Sequence, residues 1–264
     1  MQLELWQILL LAAVQGLTEF LPVSSSGHLV ILAAYLAPDG KVEGLDIPAL
    51  NVVLHGGTLL SILVFYFGRI ARLLGEDRRT IGLLVVGTIP AVVLGLPLKK
   101  LAGDTVLANP LLAGCLLPVT GLILLWLRRP VTAIQRYQEL PFLKAFWIGI
   151  AQAVAILPGL SRSGCTISAA ARLGLAPESA ATFSFLLAIP AIGGACVLEL
   201  AGGLGGGIGI PSAHLALGAA VAFVVGLVAL NWMVRWIERG QIHYFAWWCI
   251  PVGLGVVIWQ LSIR

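Results

Sequence analysis

The sequence predicts an all-α polytopic integral membrane protein with six transmembrane spans and two re-entrant helix hairpins in an inverted repeat. Three observations carry this. Of 264 residues, 59% are hydrophobic and 11% charged, against about 25% charged in a typical soluble domain. Apolar runs long enough to cross a hydrocarbon core of about 30 Å recur along the whole chain. Two further segments are too short or too broken to span, and their flanking charges return them to the face they entered. No stretch is left for a soluble domain, so residues 1–264 form a single transmembrane domain.

Taken in order, residues 3–36 come first. Residues 3–21 could span on length alone, but 25–36 are too short, and Pro22 separates the two. Spans follow at 49–68, 80–98 and 107–127. The next segment, 145–173, is split by Pro158-Gly159 into two halves that are each too short to cross. Spans at 181–201, 213–234 and 243–262 complete the chain.

Charge orients these elements. The 69–79 connection holds Arg69, Arg72, Arg78 and Arg79 against Glu76 and Asp77, and 128–144 holds Arg128, Arg129, Arg136 and Lys144 against Glu139. Arg235 and Arg239 flank the last turn. The positive-inside rule puts these three connections in the cytoplasm. The other connections face outward: 37–48, with Asp39, Glu43 and Asp46 against Lys41; the glycine-rich 202–212; and the one carrying Lys99 and Lys100. Both termini are then outside. The first charge is Glu4, with no basic residue before the apolar stretch, so a cleaved signal peptide is not expected. The net charge of +4 sits in short loops and speaks to topology, not to nucleic acid. Cys115, Cys165, Cys196 and Cys249 stand singly in apolar runs and read as small core residues.

The two short segments echo each other. Gln15 precedes Gly27 by 12 residues, as Gln152 precedes Gly164. Gly87-Thr-Ile-Pro90-Ala91 also echoes Ala188-Ile-Pro190-Ala191. Hairpins of opposite sense are what inverted repeats produce, here with approximate bounds 1–127 and 128–264.

The hairpin tips concentrate polar groups in an apolar chain. Gln15 and Glu19 share a helix face at i, i+4. After Pro22, Ser24 or Ser25 is placed to cap the next helix, whose free N–H groups favour an anion. The other tip reads Pro158-Gly-Leu-Ser161-Arg162-Ser163-Gly164-Cys-Thr166. A charge at mid-membrane costs about 2.5–3.5 kcal/mol on the lenient insertion scale, so Glu19 and Arg162 need partners. Pairing with each other is the simplest solution, but it leaves the clustered hydroxyls and His28 unexplained. A guanidinium fork, N–H groups and serines suit phosphate, and a carboxylate beside them suits a hard divalent cation. His214 and His243 read as interfacial, as do Glu199 and Arg172; His55 reads as a packed histidine facing the first hairpin, and the tryptophans as belt or packing residues.

Residues 15–28, Gln-Gly-Leu-Thr-Glu-Phe-Leu-Pro-Val-Ser-Ser-Ser-Gly-His, closely resemble the first signature of the undecaprenyl-diphosphate phosphatase, or bacitracin-resistance, family. Residues 158–166 resemble the second, and 183–190 and 89–91 fit weaker blocks. The resemblance implies hydrolysis of undecaprenyl diphosphate to undecaprenyl phosphate and inorganic phosphate. It also implies six spans with two re-entrant pairs, a bacterial cytoplasmic membrane location, and dependence on Mg²⁺ or Ca²⁺. By position it implies Glu19, Ser25, His28 and Arg162 as catalytic residues, with Ser25 the proposed nucleophile. Ser24, Ser26, Ser161, Ser163 and Thr166 would bind the diphosphate, and Glu19 with Gln15 the metal. The attacking group is left open between Ser25, His28 and an activated water. Gln15 stands where many members carry a carboxylate, and Trp248-Cys249 where many carry Tyr-Arg. The expected partners are the lipid substrate and membrane lipids, with a homodimer left open. The rival reading is a translocase of undecaprenyl phosphate, since broken helices in inverted repeats are also a transporter design.

Overall fold

The computed structural model describes residues 4–36, 47–128, 134–201 and 211–263, with no side-chain description at 47–49, 96, 99, 102, 104 and 200. Nearly all of the described chain is helical: α1 (Leu5–Phe20), α2 (Ser25–Leu36), α3 (Ile47–Phe65), α4 (Phe67–Leu73), α5 (Arg78–Leu107), α6 (Pro110–Leu125), α7 (Phe142–Val154), α8 (Arg162–Arg172), α9 (Pro177–Ala201), α10 (Ser212–Glu238) and α11 (Ala246–Ser262). The outward connections expected at 37–48 and 202–212 lie largely outside the described residues, as does Arg129.

Among the described residues, five helices are long and apolar enough to cross a membrane, and there are six if the pair α3–α4, bent by 76°, counts as one span. The bend departs from the single span expected at 49–68. Tyr66 leaves helical geometry and its ring packs on Phe185, at 6.1 Å between centroids. The chain then turns with Arg69 and Arg72, which cannot continue into hydrocarbon. Likewise α5 runs past 98 to Leu107, with a break at Gly103. Val85, Ile89, Val93, Val197, Val228 and Ile258 are all exposed, as helices facing lipid tails require. Cys165 and Cys249 are buried and Cys196 half-buried, but Cys115 is exposed, so it is not a core residue.

Glycine contacts fix how the helices run. Along α1, Ile8 meets Gly218 of α10, Gly16 meets Ala222 and Gly226, and Phe20 meets Gly226. α1 therefore follows α10 from its start and stops near its middle, which decides against a full span for residues 3–21. Along α7, Phe142 meets Gly82 of α5, Gly149 meets Gly87, and Ile156 just beyond meets Gly95. The second hairpin thus enters beside the start of α5. α6 and α11 pack antiparallel, Gly114 against Gly253 and Val256, Gly121 against Ala246 and Ile250. Small residues at these crossings let backbones approach closely, as membrane helix packing requires.

The basic connections gather on one face. Arg79 donates to the carbonyls of Gln138 and Leu140, and Arg69 pairs with Glu178 at 3.7 Å. Lys144 Nζ donates to the Leu173 carbonyl at 2.7 Å, closing the base of the second hairpin. Val234 and Ile237, at the end of α10, line one cavity with Arg69 and Glu178. The start of α5 and the end of α10 are therefore on the same side, so the two hairpins enter from opposite sides. The Pro90 and Pro190 echo does not belong to this symmetry. It pairs α5, the second long element after its hairpin, with α9, the first after its own.

Candidate active site between the hairpin tips

The tips meet inside the bundle. Gly27 lies against Gly159 and Gly164 against Pro22. Both turns are closed by the same device. Ser24 Oγ accepts the N–H of Gly27 at 3.2 Å, and Ser161 Oγ accepts that of Gly164 at 3.1 Å. Each capping hydroxyl also meets the serine two residues on, Ser24 with Ser26 at 3.4 Å and Ser161 with Ser163 at 3.2 Å. Ser24 also accepts the N–H of Gly159 at 3.1 Å, locking one tip to the other. Ser24 has φ +69°, a left-handed conformation that costs a non-glycine residue about 1–2 kcal/mol, and its two accepted hydrogen bonds hold it there. Gly159, at φ +96°, has no room for a Cβ, which would sit 2.4 Å from the Ala113 carbonyl oxygen. Thr120 of α6 completes the frame, donating to the Gly159 carbonyl at 2.8 Å and accepting the Ser161 N–H at 3.0 Å.

At one constant spacing, Gln15, Ser24, Ser26 and Gly27 correspond to Gln152, Ser161, Ser163 and Gly164. The same spacing aligns Ser25 with Arg162, and both reach Glu19. Ser25 Oγ donates to Oε2 at 2.6 Å and Arg162 Nη2 to Oε1 at 2.5 Å. Gln15 Nε2 donates to Oε2 at 3.0 Å, and His55 Nε2 stands 3.7 Å from that oxygen. Glu19's counterpart is Ile156, so this pair of related tips holds one carboxylate. The simplest sequence expectation, a Glu19–Arg162 pair, is what forms, and the hydroxyl of Ser25 joins it.

Besides Gln15 and Glu19, which are buried, the predicted site residues divide into two groups. Ser24, Ser161, Ser163 and Thr166 are buried, and their hydroxyls serve the frame. Ser163 donates to the Leu21 carbonyl at 3.2 Å; Thr166 donates to that of Arg162 at 2.8 Å and meets Ser184 Oγ at 2.5 Å. Ser25, Ser26, His28 and Arg162 are only half-buried. His28 is not directed at Ser25. Its Nδ1 bonds the Ser24 carbonyl at 2.8 Å, and its Nε2 accepts the indole N–H of Trp248 at 3.0 Å. The sequence alone puts Trp248 among packing residues and His55 among packed histidines. The signals that mark them are the polar run His55-Gly-Gly-Thr58 in an apolar span, and Trp248's place at a signature position of the family. Thr120 and Ser184 escape sequence reasoning, although Ser184 lies in the 183–190 block.

Comparison with known proteins shows the family. The family model described as "Bacitracin resistance protein BacA" matches residues 8–255. The chain belongs to the BacA family. A relative from Rhodopirellula baltica named "Undecaprenyl-diphosphatase" is 51% identical over 260 residues, covering 98% of this chain and 99% of that protein. Relatives with the same name from Desulfosudis oleivorans and Desulforapulum autotrophicum are 40% and 36% identical, each covered over 96% or more of both chains.

In this BacA-family chain, no group of three or more His, Cys, Asp or Glu among the described residues could hold a metal. A hard divalent cation takes oxygen ligands, and two are available. They are the Glu19 carboxylate and Gln15 Oε1, which is buried with no partner. They would fill two or three positions of a shell of about six to eight oxygens, with the rest left to phosphate oxygens and water. Arg162 Nη1 is also buried without a partner, a donor ready for an anion.

Proposed function

We infer that the chain hydrolyses undecaprenyl diphosphate to undecaprenyl phosphate and inorganic phosphate. It thereby recycles the lipid carrier of cell-wall synthesis and confers resistance to bacitracin. The observation that carries this reading is the convergence of Ser25 and Arg162 on Glu19, the one buried carboxylate among the described residues, where the tips meet. An active site sunk between membrane helices suits a substrate with a polar headgroup and a long apolar tail.

The residues take roles their contacts support. Arg162, through its unpartnered Nη1 and a fork freed from Glu19, binds the diphosphate and stabilises charge on the transferred phosphoryl group. Ser26 and the N–H groups at the start of α2 add donors. Glu19 Oε2 takes the proton of Ser25, whose oxygen bonds to the terminal phosphorus. The bridging P–O bond breaks and undecaprenyl phosphate leaves with the electron pair. A water that gives its proton to His28 Nε2 then attacks the phosphoserine. The bond from phosphorus to Ser25 Oγ breaks, that oxygen takes back the proton held on Glu19, and inorganic phosphate leaves. Glu19 and Gln15 would hold Mg²⁺ or Ca²⁺, which when bound supplies charge neutralisation at the phosphate oxygens. Ser24, Ser161, Ser163 and Thr166 act by shaping the tips. Every group comes from one chain, so the reading requires no homodimer. The positive-inside rule orients the protein in a bacterial cytoplasmic membrane with the basic face inward and both termini outside.

Phosphate release by purified protein in detergent tests the reading, because no two-sided membrane exists there. The expected result is release that falls at least about a hundredfold in Arg162→Lys, since a point charge does not replace a planar fork, with elution and melting close to the parent's. No release by the parent, with lipid movement in vesicles, would favour the translocase instead.

A further inference from the structure

We propose that Trp248 is a latch on His28, its indole N–H occupying the imidazole nitrogen that the reaction uses until the diphosphate headgroup displaces it. This rests on the reading of His28 as a site residue. His28 Nδ1 bonds the Ser24 carbonyl at 2.8 Å. A carbonyl only accepts, so that nitrogen carries the ring proton. Nε2 is then the acceptor nitrogen, and Trp248 Nε1–H donates to it at 3.0 Å. The rings lie within 11° of parallel with centroids 6.3 Å apart, a side-by-side arrangement that aims N–H at lone pair.

The two ends of this contact are held differently. Cys249, next in the chain, is fully buried with its Sγ 3.8 Å from the Pro22 carbonyl, which pins α11 to the first hairpin turn. Trp248 itself is 54% exposed. The backbone is therefore packed beside the tip, while about half of Trp248 is not enclosed by protein. Packing alone would be served equally by phenylalanine; an N–H that only oriented the imidazole would make its removal raise KM, whereas removal of a latch lowers it. A bond that must break before the headgroup can take its place beside Nε2, where His28 later acts as base, lowers apparent affinity by the fraction of time it is open. One net hydrogen bond corresponds to about two- to tenfold.

Trp248→Phe keeps the ring and removes the donor. The expected result is a KM for undecaprenyl diphosphate lower by about two- to tenfold, with a smaller change in kcat. Trp248→Leu should shift KM in the same direction. In protein labelled with ¹⁵N-histidine, titration with farnesyl diphosphate should move the His28 Nε2 signal, and Trp248→Phe should move it before any ligand is added. In a His28→Gln background the effect of Trp248→Phe on KM should vanish. If His28→Gln keeps the parent's kcat and KM, His28 is outside the site, and both its assigned role and the latch fall. If His28→Gln is impaired but Trp248→Phe leaves KM unchanged or raises it, or leaves the Nε2 signal in place, the latch alone is overturned.

Discussion

Glu19 accepts from Ser25, Gln15 and Arg162 at once, with His55 3.7 Å away, so a substitution there changes charge balance and chemistry together. Glu19→Gln leaves Arg162 without its counter-ion. Breaking a buried pair by removing one partner typically costs about 3 kcal/mol or more, so melting temperature and phosphate release should both fall. Gln15→Glu places a second carboxylate one turn away, on the same helix face. It should lower the Mg²⁺ or Ca²⁺ concentration needed for half-maximal activity, because charge count tunes affinity for hard cations. Metal titrations of the two variants, run on protein that elutes as a single species, decide whether the carboxylate holds a cation. If Glu19→Gln retains the parent's activity and metal requirement, Glu19 serves only as the partner of Arg162. At this scale the site residues were legible as clusters, since a carboxylate, a guanidinium and several hydroxyls stand out against an apolar chain. Their partnerships were not. Nothing in local spacing says that Ser25 donates to Glu19 and not to His28, or that Trp248 from the far end of the chain reaches His28. Nor does it say which serines are consumed as helix caps. Those facts are set by how the tips dock, and docking is a long-range property.

Each hairpin is a half-span held against a long helix by glycine, and this is where the elements are most sensitive. A Cβ on Gly149 of α7 would lie 2.3 Å from the Gly87 carbonyl oxygen of α5 and 2.9 Å from Pro90. Backbone cannot yield as a flexible side chain can, so Gly149→Ala must push the two helices apart. The expected loss is about 1–3 kcal/mol, the usual range for overpacking, together with reduced activity as the second tip shifts from Glu19. A Cβ on Gly255 of α11 would meet nothing within 4 Å, so Gly255→Ala should be neutral or slightly stabilising through helix propensity. Thermal unfolding of the pair in detergent checks both; equal melting temperatures would mean α5 and α7 do not pack as tightly as described. The hairpins were legible because proline and length forbid spans at 25–36 and 145–173. α1 was not, since its apolar run is also long enough to cross. Only its course beside α10, ending near Gly226, shows that it stops halfway. The bend after α3 was equally hidden, because hydropathy records where an apolar run ends and not the direction the chain then takes.

Across the whole molecule, charge and packing give independent routes to one arrangement. The count of arginines and lysines assigns 69–79, 128–144 and 235–239 to one side without reference to contacts. The contacts of Arg79 with Gln138 and Leu140, of Arg69 with Glu178, and of Lys144 with Leu173, with the cavity that Arg69 and Glu178 share with Val234 and Ile237, gather the same connections on one face without reference to any membrane. The contacts do not say which compartment that face meets; its placement in the cytoplasm is our proposal from the positive-inside rule. The exposed positions Glu76, in a basic connection, and Ser262, near the end of α11, report opposite faces. Single cysteines at these positions, in a background with Cys115, Cys165, Cys196 and Cys249 replaced, should react differently with an impermeant maleimide added to intact cells. Ser262→Cys should label at once, and Glu76→Cys only after the membrane is opened. The reverse pattern would turn the molecule over, while leaving the two hairpins entering from opposite sides. Rapid labelling of both positions in intact cells would instead break the arrangement itself, because helices that share one basic face cannot present both sites to the same compartment.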